Sequence, residues 1–302
     1  MNAPAKRYAV RVTSNVPYGS ARVGFCSSAP KDRTLALDVY APDAGPANAA
    51  RPALILAFGG AFHRGNKEAD EFDSEGHRNT PVSGYCREFA RRGYVAFSID
   101  YRLVPEDPDP GDTPVIQDRL GIPRARVDVV RKILGLPPAT SEMLWAGIEA
   151  ACDDMVRAFR FIEANAARFG VDPARIALGG FSAGARNSIN AAYGEGVPAA
   201  AVISLSGFMA DDDLRCHVTG AAGQPPAFIV TGENDLEHVA RQVAPMVRHF
   251  GAVGVQCEAW QVPGGTHFYP ADSVVVGEAG QRSTLEEAMA EFVAKALGAP
   301  AG

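Results

Sequence analysis

One serine of this 302-residue chain lies in a glycine-rich pentapeptide that suits a nucleophile. The segment is Gly180-Phe181-Ser182-Ala183-Gly184, which has the pattern GxSxG. An apolar, strand-like segment precedes it, and a helix-compatible stretch follows it. Small residues around the serine permit a sharp strand-to-helix turn, which holds the hydroxyl out at the top of a sheet. This context predicts that Ser182 is a catalytic nucleophile.

A serine hydroxyl becomes a good nucleophile only when a base takes its proton and a carboxylate orients that base. Asp235 and His267 each follow an apolar, strand-like segment. The order serine, acid, histidine along the chain is the one found with this type of turn. We therefore predict a triad of Ser182, Asp235 and His267, in which Glu233 and Glu237 are rivals for the acid position.

The reaction also needs hydrogen-bond donors for the negative oxygen that forms on the substrate. Residues 58–62 (FGGAF) directly follow a strand-like segment. Their two glycines let backbone N–H groups approach a ligand closely. The N–H group of Ala183, the residue after the nucleophile, would complete such an oxyanion hole.

The chain that carries these residues alternates strand-like and helix-like segments, which is the pattern of an α/β protein with a mostly parallel sheet. Residues 33–40 alternate apolar and polar side chains, as in a half-exposed strand near one edge. Six continuous apolar runs indicate central strands covered on both faces. They are residues 53–58, 94–99, 175–178, 199–205, 227–231 and 255–262.

Helical periodicity separates these strand-like runs. It occurs at residues 141–169, 236–251 and 285–297. Ser141 followed by Glu142 is a capping signal for the first helix, and Gly170 suits its C-terminal end.

Two long segments interrupt the alternation, the polar residues 63–80 and the proline-rich residues 104–140. Long segments without regular structure usually serve a function in compact domains. We expect both to lie above one edge of the sheet, where 104–140 would form a lid or cap. Residues 1–30 are expected to be an N-terminal extension with an edge strand, and the whole chain, 1–302, to be one domain.

The composition excludes several classes of partner. With 47% hydrophobic and 21% charged residues, the chain is typical of a soluble globular protein with a large core. The net charge of −6 argues against nucleic acids and anionic membranes. No apolar run approaches the ~18 residues of a membrane-spanning helix. No apolar segment of a secretory signal follows Lys6 and Arg7.

Neither the cysteines nor the acidic residues form a metal-binding pattern. The five cysteines include no CxxC pair, so we expect reduced, mostly buried thiols in a cytoplasmic protein. The acidic run at 211–213 has no spaced histidine or further carboxylate beside it. We interpret it as a solvated loop and expect no metal ion and no organic cofactor.

Together these segments resemble the α/β-hydrolase fold, and within it the hormone-sensitive-lipase-like and related carboxylesterases. The resemblance implies that the backbone N–H groups of Gly60 and Ala61 belong to the oxyanion hole. It also implies a buried structural pair between Arg102 and Asp154. It spans roughly residues 33–297 and rests on four segments: FGGAF, GFSAG, DYRLVPE at 100–106 and DPARI at 172–176.

The chain departs from that family at two positions. Phe58 occupies the place of the family's HGGG histidine, which removes a side-chain hydrogen bond that braces the loop. Phe181 occupies the second position of the pentapeptide, where acidic residues are common in the family.

The resemblance implies a serine hydrolase that cleaves a small-molecule carboxylic ester through an acyl-enzyme. Amide, lactone or small-peptide hydrolysis on the same triad stays open, as does hydroxynitrile lyase chemistry. A non-catalytic, ligand-binding member of the fold is the alternative from a different class. The oligomeric state is also open, a homo-oligomer included.

Aromatic residues close to the catalytic elements predict an apolar substrate pocket. They are Phe62, Phe181, Phe208 and Phe268, and Met209 is predicted to join them. Among the histidines outside the triad, only His63 is considered as a substrate contact. His77 lies in the early polar loop, His217 precedes the acid-bearing strand, and His238 and His249 are placed on a surface helix.

Overall fold

A ten-stranded sheet forms the centre of the protein, whose computed structural model describes residues 7–43, 50–74 and 76–300. Residues 1–6 of the predicted N-terminal extension lie outside these ranges, as do residues 301–302. A separate hairpin pairs β4 (Asp73–Ser74) with β5 (His77–Arg78). Across the sheet the order is β1 (Val10–Val23), β2 (Lys31–Pro42), β6 (Val95–Ile99), β3 (Arg51–Ala57), β7 (Val171–Phe181), β8 (Ala201–Leu205), β9 (Ala227–Gly232), β10 (Cys257–Val262), β11 (Val274–Gly277) and β12 (Arg282–Thr284).

The middle of this sheet is parallel and its two edges are antiparallel. Strands β6, β3, β7, β8, β9 and β10 run parallel to their neighbours in that order. Every residue of β3, β6 and β8 is buried, so both faces of the central sheet are covered. The α/β class with a mostly parallel sheet is confirmed, because continuous apolar runs are what such doubly covered strands require.

Eight α-helices connect and cover the strands in the described part of the chain. Thr140, not the predicted Ser141, caps the longest helix, because its side chain accepts a hydrogen bond from the Met143 N–H at 3.1 Å. No helix among the described residues is long and apolar enough to cross a membrane. The helices are α1 (Val82–Arg91), α2 (Ala125–Ile133), α3 (Ser141–Ala164), α4 (Ala166–Phe169), α5 (Ala183–Ile189), α6 (Asp211–His217), α7 (Glu237–Val253) and α8 (Leu285–Leu297).

Several elements escape the sequence pattern. Helix α1 follows Pro81 and contains Gly84, two residues that obscure its amphipathic periodicity. Strands β11 and β12 are four and three residues long, too short for alternation to be recognised. The predicted single helix at 141–169 is divided into α3 and α4 at Asn165.

Two predictions about polar and sulfur side chains are wrong. The acidic run opens helix α6 instead of forming a solvated loop, and Asp213 is buried and accepts the Gln117 N–H at 2.7 Å. Acidic residues suit the first turn of a helix because they face its positive end. The thiols are not mostly buried, since only two of the five are.

A buried ion pair joins the end of β6 to helix α3. The Nε atom of Arg102 lies 2.9 Å from Oδ2 of Asp154, and both side chains are almost fully buried. The remaining guanidinium N–H groups donate to the carbonyls of Arg22, Asp109 and Ala150. The pair implied by the resemblance is therefore present, and its hydrogen bonds are satisfied in the way that a buried charge requires.

Candidate active site

The predicted nucleophile occupies a sharp turn between β7 and α5. Ser182 has φ 54° and ψ −114°, a conformation that non-glycine residues rarely adopt. Its N–H donates to the carbonyl of Leu205 on β8 at 2.7 Å, which fixes the turn against the neighbouring strand. The side chain of Ser182 stays partly accessible although the residues around it are buried.

The glycines of the pentapeptide are required by the carbonyl of Ala57 at the end of β3. A Cβ atom at Gly184 would lie 2.0 Å from that oxygen, and one at Gly180 would lie 2.4 Å from it. Neither distance is sterically allowed, and the contact is with backbone that cannot turn aside. The two glycines of GxSxG are therefore needed because the end of β3 lies close against the turn that carries Ser182.

The structure brings the three predicted triad side chains into one hydrogen-bonded chain. Nε2 of His267 lies 2.9 Å from Oγ of Ser182, and Nδ1 of His267 lies 2.6 Å from Oδ1 of Asp235. Asp235 and His267 are buried, so water does not compete strongly for these bonds. The three residues follow the ends of β7, β9 and β10, the carboxyl edge of the parallel strands.

The carboxylate of Asp235 is held by three further donors. The N–H groups of Gly232 and Leu236 donate to it at 3.2 and 2.7 Å, and Oγ of Ser206 donates at 2.5 Å. The Ser206 hydroxyl also lies 2.7 Å from that of Tyr269. Sequence reasoning missed both hydroxyl residues; the one available signal is the position of Ser206 directly after β8.

The two rival acids have other partners. Glu233 is exposed and accepts the N–H of Gly264 at 2.6 Å. Glu237 forms an exposed ion pair with Arg241, also at 2.6 Å. Neither carboxylate has a hydrogen bond to His267 among the described residues, so the geometry favours Asp235.

The predicted oxyanion segment has an unusual backbone. Gly60, Ala61 and Phe62 all have positive φ, at 119°, 56° and 59°. A Cβ atom at Gly60 would lie 2.1 Å from the carbonyl oxygen of Arg64, so this position requires glycine. Gly60 and Ala61 line the space in front of Ser182, and Ala183 lines its other side. Backbone strain of this kind is characteristic of ligand-binding turns.

His63 braces the segment and lines neither of the two cavities that open at Ser182. Its ring is buried, with Nδ1 2.7 Å from the carbonyl oxygen of Ala61 and Nε2 3.1 Å from Nη1 of Arg131. A guanidinium can only donate, so Nε2 is the acceptor and Nδ1 carries the proton given to Ala61. His63 is therefore neutral, and it links the segment to helix α2.

His63→Leu is expected to lower the free energy of unfolding by about 1–3 kcal/mol near pH 8, because Ala61 and Arg131 each lose a buried partner. Burial lowers the pKa of His63 from its ordinary value of 6.5. The unfolded chain then takes up the proton more readily than the folded protein. The stabilisation that His63 provides is therefore complete above about pH 6.5 and is lost as the pH falls through the lower pKa of the folded state.

Denaturant unfolding between about pH 8 and pH 5 measures this effect. The wild-type free energy of unfolding should fall more steeply with decreasing pH than that of the variant. Replacement of the exposed His77 by leucine is the matched control and should follow the wild-type curve. A His63→Leu curve parallel to the wild-type curve would contradict this account.

Other contacts hold the segment at Phe58, where the family that the chain resembles has a histidine. Phe58 stacks on Tyr101, with ring centroids 4.3 Å apart, and the Tyr101 hydroxyl donates to the carbonyl of Phe58 at 2.8 Å. The buried carboxyl of Asp70 accepts from the N–H groups of Gly59 and Val82. Burial raises the pKa of Asp70 to about 7. Aromatic stacking and these backbone bonds thus replace the missing side-chain bond.

Two adjoining cavities open at Ser182. The larger encloses about 580 Å³ of empty space, its mouth included, and is lined by Phe62 and Phe208 among others. The smaller, of about 260 Å³, is lined by His267 and by the aromatic residues Phe72, Phe181 and Phe268. All four predicted pocket phenylalanines therefore lie at one cavity or the other, whereas Met209 is fully buried and lines neither.

The two long segments contribute walls to these cavities. Ile122, Pro123 and Val127 from residues 104–140 line the larger cavity, and Arg64 and Phe72 from residues 63–80 line the smaller. Much of 104–140 is irregular, but helix α2 contributes Arg126 and Val127 to the cavity walls.

His238 belongs to the predicted surface helix, but sequence analysis missed its position at the cavity. It lies in the first turn of α7 and lines the larger cavity, with its ring 5.9 Å from that of Phe208. Partial burial lowers the pKa of His238 below its ordinary value. The helix is amphipathic, and sequence periodicity alone did not reveal that its first turn meets the cavity.

The described residues contain no cluster of three or more histidine, cysteine, aspartate or glutamate side chains that could hold a metal ion. The chemistry supported by the arrangement is that of a hydroxyl, an imidazole and a carboxylate in series, with backbone N–H groups beside them.

Comparison with known proteins finds the fold and little else. No protein-family model and no curated protein matches the chain. Esterase 2 of Thermogutta terrifontis, phosphorylated by paraoxon, aligns over 100% of both chains with a TM-score of 0.61 at 17% identity. The sarin-phosphonylated form aligns equally fully at 0.61 and 18% identity. The butyrate-bound form aligns over 89% of this chain and 92% of its own at 0.58 and 20%. The protein has an α/β-hydrolase fold.

Proposed function

We propose that this protein is a serine hydrolase that cleaves carboxylic esters, of the hormone-sensitive-lipase-like carboxylesterase type. The observation that carries the proposal is the continuous hydrogen-bonded chain from Asp235 through His267 to Oγ of Ser182. Fold alone would not carry it, since one fold hosts many activities. The similar structures are those of an esterase, one of them phosphorylated by paraoxon, and this agrees with the proposal.

In the acylation step, Oγ of Ser182 attacks the ester carbonyl carbon while Nε2 of His267 takes the hydroxyl proton. The carbonyl oxygen becomes an oxyanion that accepts hydrogen bonds from the N–H groups of Gly60, Ala61 and Ala183. The tetrahedral intermediate collapses, the bond to the alcohol oxygen breaks, and His267 gives its proton to the departing alcohol.

In the deacylation step, a water molecule takes the place of the alcohol. His267 removes a proton from the water as its oxygen attacks the acyl carbon, and the same backbone donors hold the second oxyanion. Collapse releases the carboxylic acid, and the proton on His267 returns to Oγ of Ser182. Asp235 keeps its charge throughout and stabilises the imidazolium that forms twice in each turnover.

The two long segments are proposed to determine which esters fit. Residues 104–140 would form a cap over the larger cavity, and residues 63–80 a wall of the smaller one, within one domain. The partner is then a small-molecule ester that both cavities can hold. A cytoplasmic location and the absence of a nucleic-acid partner stay predictions, and the oligomeric state stays open.

A fluorophosphonate probe tests the proposal directly, because it forms a stable bond only with an activated serine. We expect labelling of the purified protein at Ser182, located by peptide mass spectrometry. Matched p-nitrophenyl butyrate and p-nitrobutyranilide then separate ester from amide hydrolysis, with the ester expected to be cleaved faster. An unlabelled protein would favour a non-catalytic ligand-binding member, and faster cleavage of the anilide would favour an amidase.

A further inference from the structure

The charged side chains that line the two cavities at Ser182 are all positive. Arg186 lines the larger cavity, Arg64 lines the smaller, and Arg126 lines both. No aspartate or glutamate is among the lining residues of either cavity. A chain with a net charge of −6 thus presents three guanidinium groups and no carboxylate to its substrate. This distribution favours an anionic ligand, because cavities lined by one sign of charge concentrate the opposite sign.

Arg186 is the most enclosed of the three. It lies four residues after Ser182 on α5, and its N–H donates to the Ser182 carbonyl at 3.0 Å. The side chain is only 6% exposed. Among the described residues its guanidinium has no hydrogen bond and no ion pair, and its buried Nε is without a partner. Its guanidinium carbon lies 5.2 Å from the centre of the Phe208 ring.

Two carboxylates lie near Arg186 and accept backbone hydrogen bonds, although Oδ2 of Asp213 is buried without a partner among the described residues. Glu149 accepts the N–H groups of Val115 and Ile116, and Asp213 accepts that of Gln117. Neither comes within ion-pair distance of Arg186, and neither lines a cavity. Desolvation lowers the pKa of Arg186 by more than the charges of Asp213 and Glu149 raise it. An anion in the cavity would supply the missing partner.

The position of His267 indicates which part of the ester meets Arg186. His267 must protonate the departing alcohol, so the alcohol belongs in the smaller cavity, which His267 lines. The acyl chain then extends into the larger cavity, whose lining includes the apolar side chains of Phe62 and Ile148 as well as Arg186. The planar fork of a guanidinium matches a carboxylate with two parallel hydrogen bonds.

We propose that the preferred substrate is an ester whose acyl chain ends in a carboxylate, a half-ester of a short dicarboxylic acid, with that carboxylate bound by Arg186. The proposal rests on the proposed esterase function and adds the class of acyl group. Arg186 is in this view a specificity residue of the acyl cavity.

The test compares two esters of equal acyl length, p-nitrophenyl hydrogen glutarate and p-nitrophenyl pentanoate, at about pH 8, where the carboxylate is ionised. Wild-type kcat/KM is expected to favour the glutarate ester by about 10- to 100-fold. Arg186→Met should reduce this ratio by a similar factor. Arg186→Lys, which keeps the charge but loses the fork, should retain part of the preference and carries the test if the methionine variant does not fold.

A matched control and a binding measurement complete the experiment. Arg248→Met, at an exposed position outside both cavities, should keep the wild-type ratio. Glutarate, the acid product, should raise the melting temperature of the wild type but not that of Arg186→Met. Ser182-dependent cleavage of the pentanoate ester with no preference for glutarate would overturn this inference and leave the esterase function standing. Cleavage of neither ester would overturn both.

Discussion

Ser182→Ala is expected to lower kcat/KM for p-nitrophenyl butyrate by about 10⁴- to 10⁶-fold. The exchange removes the atom that forms the acyl-enzyme, and the residual rate would come from the oxyanion donors and from substrate binding. The melting temperature should change little. Alanine tolerates the positive φ of this position no worse than serine, and the hydrogen bond from the residue's backbone to Leu205 is unaffected.

The control for this variant is Ser20→Ala, at an exposed position on β1 far from both cavities. It should retain wild-type activity and the fluorophosphonate label, whereas Ser182→Ala should lose both. If purified, folded Ser182→Ala still turned over the ester at more than about a hundredth of the wild-type rate, Ser182 would not be the nucleophile.

Asp235→Asn is expected to lower kcat by about 10⁴-fold with the same ester. The carboxylate of Asp235 accepts a hydrogen bond from the N–H at Nδ1 of His267 at 2.6 Å. Nε2 is then free to accept a hydrogen bond from the Ser182 hydroxyl. An amide in this place can turn its NH₂ group to the histidine and stabilise the opposite tautomer, in which Nε2 carries the proton and cannot act as a base.

Stability should also fall, by about 1–3 kcal/mol, because two backbone N–H groups and the Ser206 hydroxyl lose a charged acceptor. Glu233→Gln and Glu237→Gln are matched controls that change the same functional group close by in the chain. Both should keep kcat within about twofold, since they alter surface interactions only. If Glu233→Gln lost as much kcat as Asp235→Asn, the assignment of Asp235 as the acid of the triad would be wrong.

The sequence predicts the central sheet and the position of the nucleophile well, because both depend on local sequence patterns. Continuous apolar runs locate the parallel strands, as at β3 and β8, where every residue is buried. The GxSxG pattern locates the strand-to-helix turn, since its two glycines are imposed by the carbonyl of Ala57. Chain order then restricts the acid and the base to the ends of β9 and β10.

The finer parts of the site depend on contacts between segments distant in the chain. Ser206 contacts Asp235 from the end of another strand, and His63 contacts Arg131, which lies 68 residues later in the chain. Likewise, Arg186 looks like any polar residue of a short helix until the cavity around it is seen. No periodicity or motif indicates such contacts, which explains why sequence reasoning missed them and also missed the position of His238 at the cavity.

The left-handed backbone at Ser182 also restricts which amino acids could replace the serine in this turn. At a φ of 54°, a side chain branched at Cβ is crowded by its own main chain more than an unbranched one. Threonine, although it bears the same hydroxyl, is therefore disfavoured as a substitute nucleophile. Cysteine has no such branch, so a change of the attacking atom on this scaffold favours a thiol over a secondary alcohol.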